Sequence, residues 1–255
     1  MTEVWAHRGA SGYAPENTLE AFALAAEMEA DGVELDVQMS RDGYLVVAHD
    51  ERIDRVSNGS GFIRDFTLEE LKGFLFNKTH PEYKDARIPT LREVYELLKD
   101  TPLKINVELK NGVYLYDGLE ERVLELTARL GMAKRVIYSS FNHNSVAFIK
   151  HMKPDAVTGV LYSDGIYDPA AYAQAIGADA LHPAFYNLHY PGVMEQAGER
   201  GLKVHVWTVN TQEQGAAFSD VWETAKIRRI SLRKAAYLIA VKRVIDTKKL
   251  RGIWP

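Results

Sequence analysis

The stretch VWAHRGASGYAPENTLEAF, residues 4–22, contains one complete strand–turn–helix unit. Val4, Trp5 and Ala6 form a short apolar run that ends on His7 and Arg8. Gly9, Gly12 and Pro15 then punctuate a turn, and a helical pattern begins near Leu19. A core strand gains nothing by finishing on an imidazole and a guanidinium, whereas a strand that delivers side chains into a pocket is built this way. Asn17 reads as the helix N-cap, with Glu20 at the third helical position completing a capping-box-like start. Glu16 is placed to support Arg8.

Working outward, the same unit recurs. Strand patterns fall at residues 3–7, 32–39, 44–49, 103–110, 135–140, 157–162, 180–183 and 202–209. Between most of them lie segments with apolar residues at three- and four-residue spacing, several ending at glycine. Such alternation predicts a parallel sheet with right-handed crossovers. With 255 residues, 46% of them hydrophobic, the chain has the length of an α/β barrel. One junction departs from the rule. GVELDVQMSRDGYLVVAHD, residues 32–50, turns at Asp42-Gly43, a hairpin signal, so residues 44–49 run antiparallel to the strand before them. Residues 50–102 read as an inserted small lobe beside the pocket.

Composition excludes several classes. With no cysteine there is neither a disulfide framework nor a thiolate metal site. The start MTEVWAHRGA carries no basic segment followed by an apolar core, and no apolar run reaches the length of a membrane span, so the expected compartment is the cytoplasm.

Strand side chains alternate between faces, which sets Glu34 and Asp36 on one side and Val33, Leu35 and Val37 on the other. The same alternation groups Asn106, Glu108 and Lys110. Folding the hairpin about Asp42-Gly43 makes opposed positions sum to about 83 to 85, which brings His49 across from Glu34 or Asp36. His7 arrives from the neighbouring strand. In the late strand His205, Trp207 and Val209 share a face, with Trp207 toward the mouth. Three carboxylates in one small volume cannot all ionise cheaply without a cation. An all-oxygen set of Glu34, Asp36 and Glu108 suits one hard divalent ion, Mg2+ or Ca2+, over zinc. Two histidines, His7 and His49, with Arg8 and Lys110, describe a site for an anion whose charge grows during reaction, and a phosphate ester fits it. The alternative reading makes Arg8 and Lys110 simple countercharges to the acids. The other histidines, among them His182 and His205, read as surface or core.

These motifs resemble the glycerophosphodiester phosphodiesterase family. AHRGASGYAPENTLEAF, GVELDVQMSRDGYLVVAHD, IPTLREVYELL, INVELK, SSF and VHVWTVN follow its pattern in order over residues 4–212. The resemblance implies a TIM-type (β/α)8 barrel with an inserted lobe, and cleavage of glycerophosphodiesters to glycerol 3-phosphate and an alcohol. It implies His7 and His49 as general acid and base, Arg8 and Lys110 as phosphate ligands, and Glu34, Asp36 and Glu108 as ligands of Mg2+ or Ca2+. Trp207 packs against the glycerol moiety in that scheme, and a neighbouring glycerol hydroxyl attacks phosphorus first, giving a cyclic phosphate that water opens. Phospholipase-D-like action on lysophospholipids or sphingolipids shares the same polar cluster.

After WTVNT the family pattern stops. Residues 213–255 read as an atypical helical segment, in which 226–251 hold ten Lys or Arg against the single acid Asp246. The stretch from about 216 to 255 resembles the C-terminal helical segment of the Glu/Leu/Phe/Val dehydrogenases, and without a glycine-rich dinucleotide fingerprint it implies no dehydrogenase activity. Its apolar positions Ala236, Ile239, Ala240 and Val244 point to docking on protein over a membrane surface or nucleic acid. The expectation is therefore a barrel of seven parallel strands lacking its usual eighth, with an inactive barrel as the consequence if closure fails.

Overall fold

The computed structural model describes residues 3–210. The expected basic helical tail at 213–255, and with it any eighth parallel strand, lies outside the described residues.

Strands β1 (Trp5–His7), β2 (Gly32–Met39), β4 (Lys104–Leu109), β5 (Val136–Ser140), β6 (Val157–Tyr162), β7 (Ala180–Pro183) and β8 (Lys203–Val204) run parallel in the order β1-β2-β4-β5-β6-β7-β8. β3 (Leu45–Val47) pairs antiparallel with β2. The sheet curls as an α/β barrel does. Among the described residues no ladder joins β1 to β8, yet the Trp5 ring meets His205, just beyond β8, edge-on at 5.4 Å.

Helices α1 (Leu19–Glu27), α3 (Leu91–Leu98), α4 (Leu119–Arg129), α5 (His143–Met152), α6 (Pro169–Ala175) and α7 (Val193–Glu199) follow successive strands, while α2 (Leu68–Gly73) belongs to the inserted lobe. Val33, Leu35, Val37, Ile105, Val107 and Leu109 face outward into one apolar cluster with Phe22, Leu91, Val94, Leu98 and Val123 of the helices. Each fully buried Leu, Ile or Val contributes roughly 1.5–3 kcal/mol. The sheet is thus held from its outer face, which leaves the inner face free to be polar.

The lobe has a separate cluster, Val46, Ala48, Ile53, Val56, Ile63, Leu71, Phe76 and Ile88. α3 is not part of it: Leu91, Val94, Tyr95 and Leu98 lie in the barrel cluster, and the helix packs beside α1. The lobe's own packing therefore ends near Ile88, short of the boundary at 102 that the sequence suggests. Both α2 and α3 start with complete capping boxes, Thr67 with Glu70 and Thr90 with Glu93. Among the described residues no helix is long and apolar enough to cross a membrane.

Candidate active site

One edge of β2 is shared by two strands. β1 covers its lower half and stops at the pair His7–Glu34, while β3 covers the upper half in the opposite direction, with Val47 opposite Val37 and Ala48 N–H donating to the Asp36 carbonyl at 2.9 Å. The pairing sum is 84, which sets His49 opposite Leu35, between Glu34 and Asp36. His7 rising on β1 and His49 descending from β3 therefore meet head to head beside the two acids. On the other edge of β2 the register pairs Asp36 with Glu108. The inward carboxylate oxygens of Glu34, Asp36 and Glu108 lie within 4.8 Å of one another.

Electrostatics express that crowding. Burial, then repulsion from Asp36 and Glu108, raises the Glu34 carboxyl well above its ordinary value. Burial and Asp36 push Glu108 up to about 7, against the pull of Lys110. Burial alone would lower Lys110, but the charges of Glu108 and Asp36 outweigh it and raise the ammonium. Glu34 Oε1 and Asp36 Oδ1 are buried acceptors without a donor. Converging, under-neutralised oxygens of this kind, with no thiolate or imidazole among them, fit a hard divalent cation.

Arg8 and Lys110 both stand against these acids. Arg8 donates its backbone N–H to Glu34 Oε2 at 3.0 Å, its Nη1 to Glu16 Oε1 at 2.9 Å, and has Nε 3.6 Å from Asp36 Oδ2. The support from Glu16 is as the sequence suggests. Lys110 Nζ donates to Glu108 Oε1 at 3.0 Å and lies 3.9 Å from Asp36 Oδ1. The turn that delivers this group is strained: Arg8 has φ 58, and at Gly9 (φ 76) a Cβ would sit 2.7 Å from the Ala21 backbone.

The two imidazoles differ. His7 Nε2 is 3.8 Å from Glu34 Oε2, and burial followed by the charge of Arg8 lowers the ring to about 4, so it is neutral at pH 7. His49 Nδ1 lies 2.6 Å from Asp50 Oδ1. A carboxylate only accepts, so Nδ1 carries the proton and Nε2 is left to face the mouth. Gln38 fixes this segment by donating Nε2 to the carbonyls of Ala48, His49 and Asp50, and it accepts from Tyr116 Oη.

Trp207 sits at the C-terminal end of the sheet, half-buried. Its Nε1 donates to the His182 carbonyl at 2.8 Å and its ring meets Phe141 edge-on at 5.6 Å. His205 and His182 stack inside the barrel at 4.7 Å. A cavity of about 520 Å³ opens between the segments that follow β4 and β5, lined by Asn111, Tyr116, Glu120, Asn142, Ser145 and Phe148 and by none of the three acids.

Asn17 is not the helix cap. Thr18 caps α1, its side chain accepting from Ala21 N–H, while Asn17 is turned to Asp36. Both residue types cap well, and only the buried carboxylate decides which one does. Asp50, Arg55, Gln38 and Phe141 contact the candidate site residues His49, Asp50 and Trp207 and were not singled out from the sequence. Asp50 directly follows His49, a signal that was available.

Comparison with known proteins follows the same lines. The sequence profile of the glycerophosphoryl diester phosphodiesterase family matches residues 7–231. A glycerophosphodiester phosphodiesterase of Caldanaerobacter subterraneus subsp. tengcongensis is 44% identical over 216 residues, 83% of this chain and 87% of that one. Among solved structures, an Oleispira antarctica phosphodiesterase in complex with the product sn-glycerol-3-phosphate superposes with a TM-score of 0.76 at 28% identity, covering 86% of this chain and 89% of that one. The Thermotoga maritima glycerophosphodiester phosphodiesterase gives 0.70 at 30% identity over 94% and 99%.

Proposed function

This chain belongs to the glycerophosphoryl diester phosphodiesterase family and is a phosphoric diester hydrolase, and on that footing we propose that it cleaves glycerophosphodiesters to sn-glycerol 3-phosphate and an alcohol, with Glu34, Asp36 and Glu108 holding one divalent cation. The observation that carries this reading is the meeting of His7 and His49 on one edge of β2, directly beside the three acids. When bound, Mg2+ or Ca2+ supplies positive charge against the non-bridging phosphate oxygens.

The chain's own residues do the rest. Arg8 and Lys110 neutralise the phosphate as charge builds on it. His7, neutral at pH 7, takes the proton from the attacking oxygen as that oxygen bonds to phosphorus. His49, its ring oriented by Asp50, gives a proton to the leaving alcohol oxygen as its bond to phosphorus breaks. When the attacking group is the neighbouring glycerol hydroxyl, the product is a cyclic phosphate. Water then opens it with the two imidazoles exchanging roles. Trp207 and Phe141 form the aromatic wall against which the glycerol carbons pack.

Turnover of glycerophosphocholine and of lysophosphatidylcholine, each with Mg2+, Ca2+ or EDTA, tests this. The expected outcome is cation-restored release of glycerol 3-phosphate from glycerophosphocholine, abolished in His7→Ala and His49→Ala. Turnover that survives EDTA, or the double substitution, overturns the mechanism. Preference for the lysolipid assigns the phospholipase-D-like specificity instead.

A further inference from the structure

Arg55 lies in the inserted lobe, is exposed, and spends its guanidinium on two carboxylates. Its Nε donates to Asp50 Oδ2 at 2.6 Å, and its Nη1 and Nη2 form a fork on Glu16, 2.7 Å to each oxygen. Each acid has a second partner. Asp50 Oδ1 is the acceptor for His49 Nδ1, and Glu16 Oε1 is the acceptor for Arg8 Nη1. One guanidinium thus joins the segment carrying one imidazole to the turn carrying the Arg8 cation, along the path His49–Asp50–Arg55–Glu16–Arg8.

We propose that Arg55 is a positioning residue for catalysis: by clamping Asp50 it fixes the His49 ring with Nε2 toward the leaving oxygen, with Glu16 as the anchor that holds the guanidinium in place. The proposal rests on the reading of His49 as the group that protonates the leaving alcohol. The guanidinium is nearly half exposed, so solvent screens what these ion pairs add to stability, and the comparison of leaving groups separates bracing of the fold from positioning of His49. A planar fork is what two carboxylates at fixed angles require, and a lysine ammonium cannot reproduce it. The backbone of residues 48–50 is held independently by Gln38, so loss of Arg55 releases the Asp50 carboxylate without releasing the loop. The neighbouring Arg52 is engaged elsewhere, with Asp54 and Ser60.

Leaving groups separate positioning of an acid from general damage. Glycerophosphocholine expels an alkoxide that must be protonated, whereas the 4-nitrophenyl ester of glycerol phosphate expels a phenolate that leaves without help. Arg55→Gln is expected to lower kcat on the choline ester about tenfold or more, and on the nitrophenyl ester less than about threefold, with Arg55→Lys between wild type and Gln. His49→Ala is expected to show the same selectivity, larger. Asp50→Asn, made alongside, is expected to repeat the Arg55→Gln pattern and carries the test if Arg55→Gln does not fold. Equal losses on both esters, or no loss, in Arg55→Gln or in that substitute while His49→Ala remains selective, overturn the proposal. If His49→Ala itself loses both esters alike, the assignment of His49 as leaving-group acid fails, and this proposal with it.

Discussion

Asn17 and Asp36 are joined by two hydrogen bonds: Asn17 Nδ2 donates to Asp36 Oδ2 at 2.8 Å, and the Asp36 backbone N–H donates to Asn17 Oδ1 at 3.4 Å. Asn17 adopts φ 57, a left-handed conformation that asparagine tolerates better than most residues, and is buried. With one Asp36 oxygen occupied in this way, Oδ1 is left buried without a hydrogen-bond donor. Asn17→Ala removes a donor from a buried carboxylate and strains the backbone. It is expected to destabilise by about 2 kcal/mol or more in chemical denaturation and to weaken cation binding about 10- to 100-fold by calorimetry. Unchanged cation affinity would show that Asn17 does not orient Asp36.

The lobe is tied to the connection between β4 and α4 by an aromatic stack. Arg64 lies 3.6 Å over the Tyr114 ring, and Tyr114 meets Phe62 edge-on at 5.8 Å. Tyr114→Ala removes a cation–π contact and an aromatic pair, each worth about 1 kcal/mol. Because that connection contributes little to the main core, limited proteolysis within residues 111–118 is expected to speed up severalfold while Tm falls by only a few degrees. A uniform loss of stability, with no new cleavage site, would refute this.

Inside the barrel the room for His182 is made by Gly159. A Cβ on Gly159 would collide with the His182 ring, which is already stacked against His205. Gly159→Ala is expected to cost about 1–3 kcal/mol through overpacking. Combining it with His182→Ala is expected to recover part of that cost, giving a coupling of at least about 0.5 kcal/mol in a double-mutant cycle. Strict additivity would mean that the backbone, not the ring, absorbs the methyl group.

Much of this site follows from a period of two. Glu34 and Asp36 must share a face with one another and not with Leu35, and Asp42-Gly43 fixes a hairpin whose register brings His49 between them. What local pattern does not contain is competition between distant partners. Asn17 and Thr18 are equally plausible caps until Asp36 takes one of them. Arg55 and Glu16 are 39 residues apart in sequence, and no periodicity links a lobe arginine to the first turn. The spacing of Leu91, Val94, Tyr95 and Leu98 announces a helix, but not that it packs beside α1 in place of the lobe.

Cation binding and pH are linked through Glu34 and Glu108. Burial and the charge of Asp36 raise both carboxyls, Glu108 to about 7 from an ordinary 4.5. Between those values the cation-free folded protein holds protons that the unfolded chain has released, so this contribution to stability is complete below about pH 4.5 and is lost as pH rises through about 7. His7, His182 and His205 act in the opposite sense, because burial lowers them and the unfolded chain takes up protons first as pH falls below 6.5. The melting curve without cation mixes these trends, whereas the difference made by adding a cation isolates the cluster. A cation must displace protons near pH 5 but hardly any near pH 8. The gain in Tm from a fixed concentration of Mg2+ or Ca2+ is therefore expected to grow from about pH 5 to about pH 8, with proton release detectable near pH 6 by calorimetry in buffers of different ionisation enthalpy. Glu108→Gln is expected to flatten that dependence and to weaken binding. A gain in Tm that does not vary with pH would place the cation away from these three carboxylates.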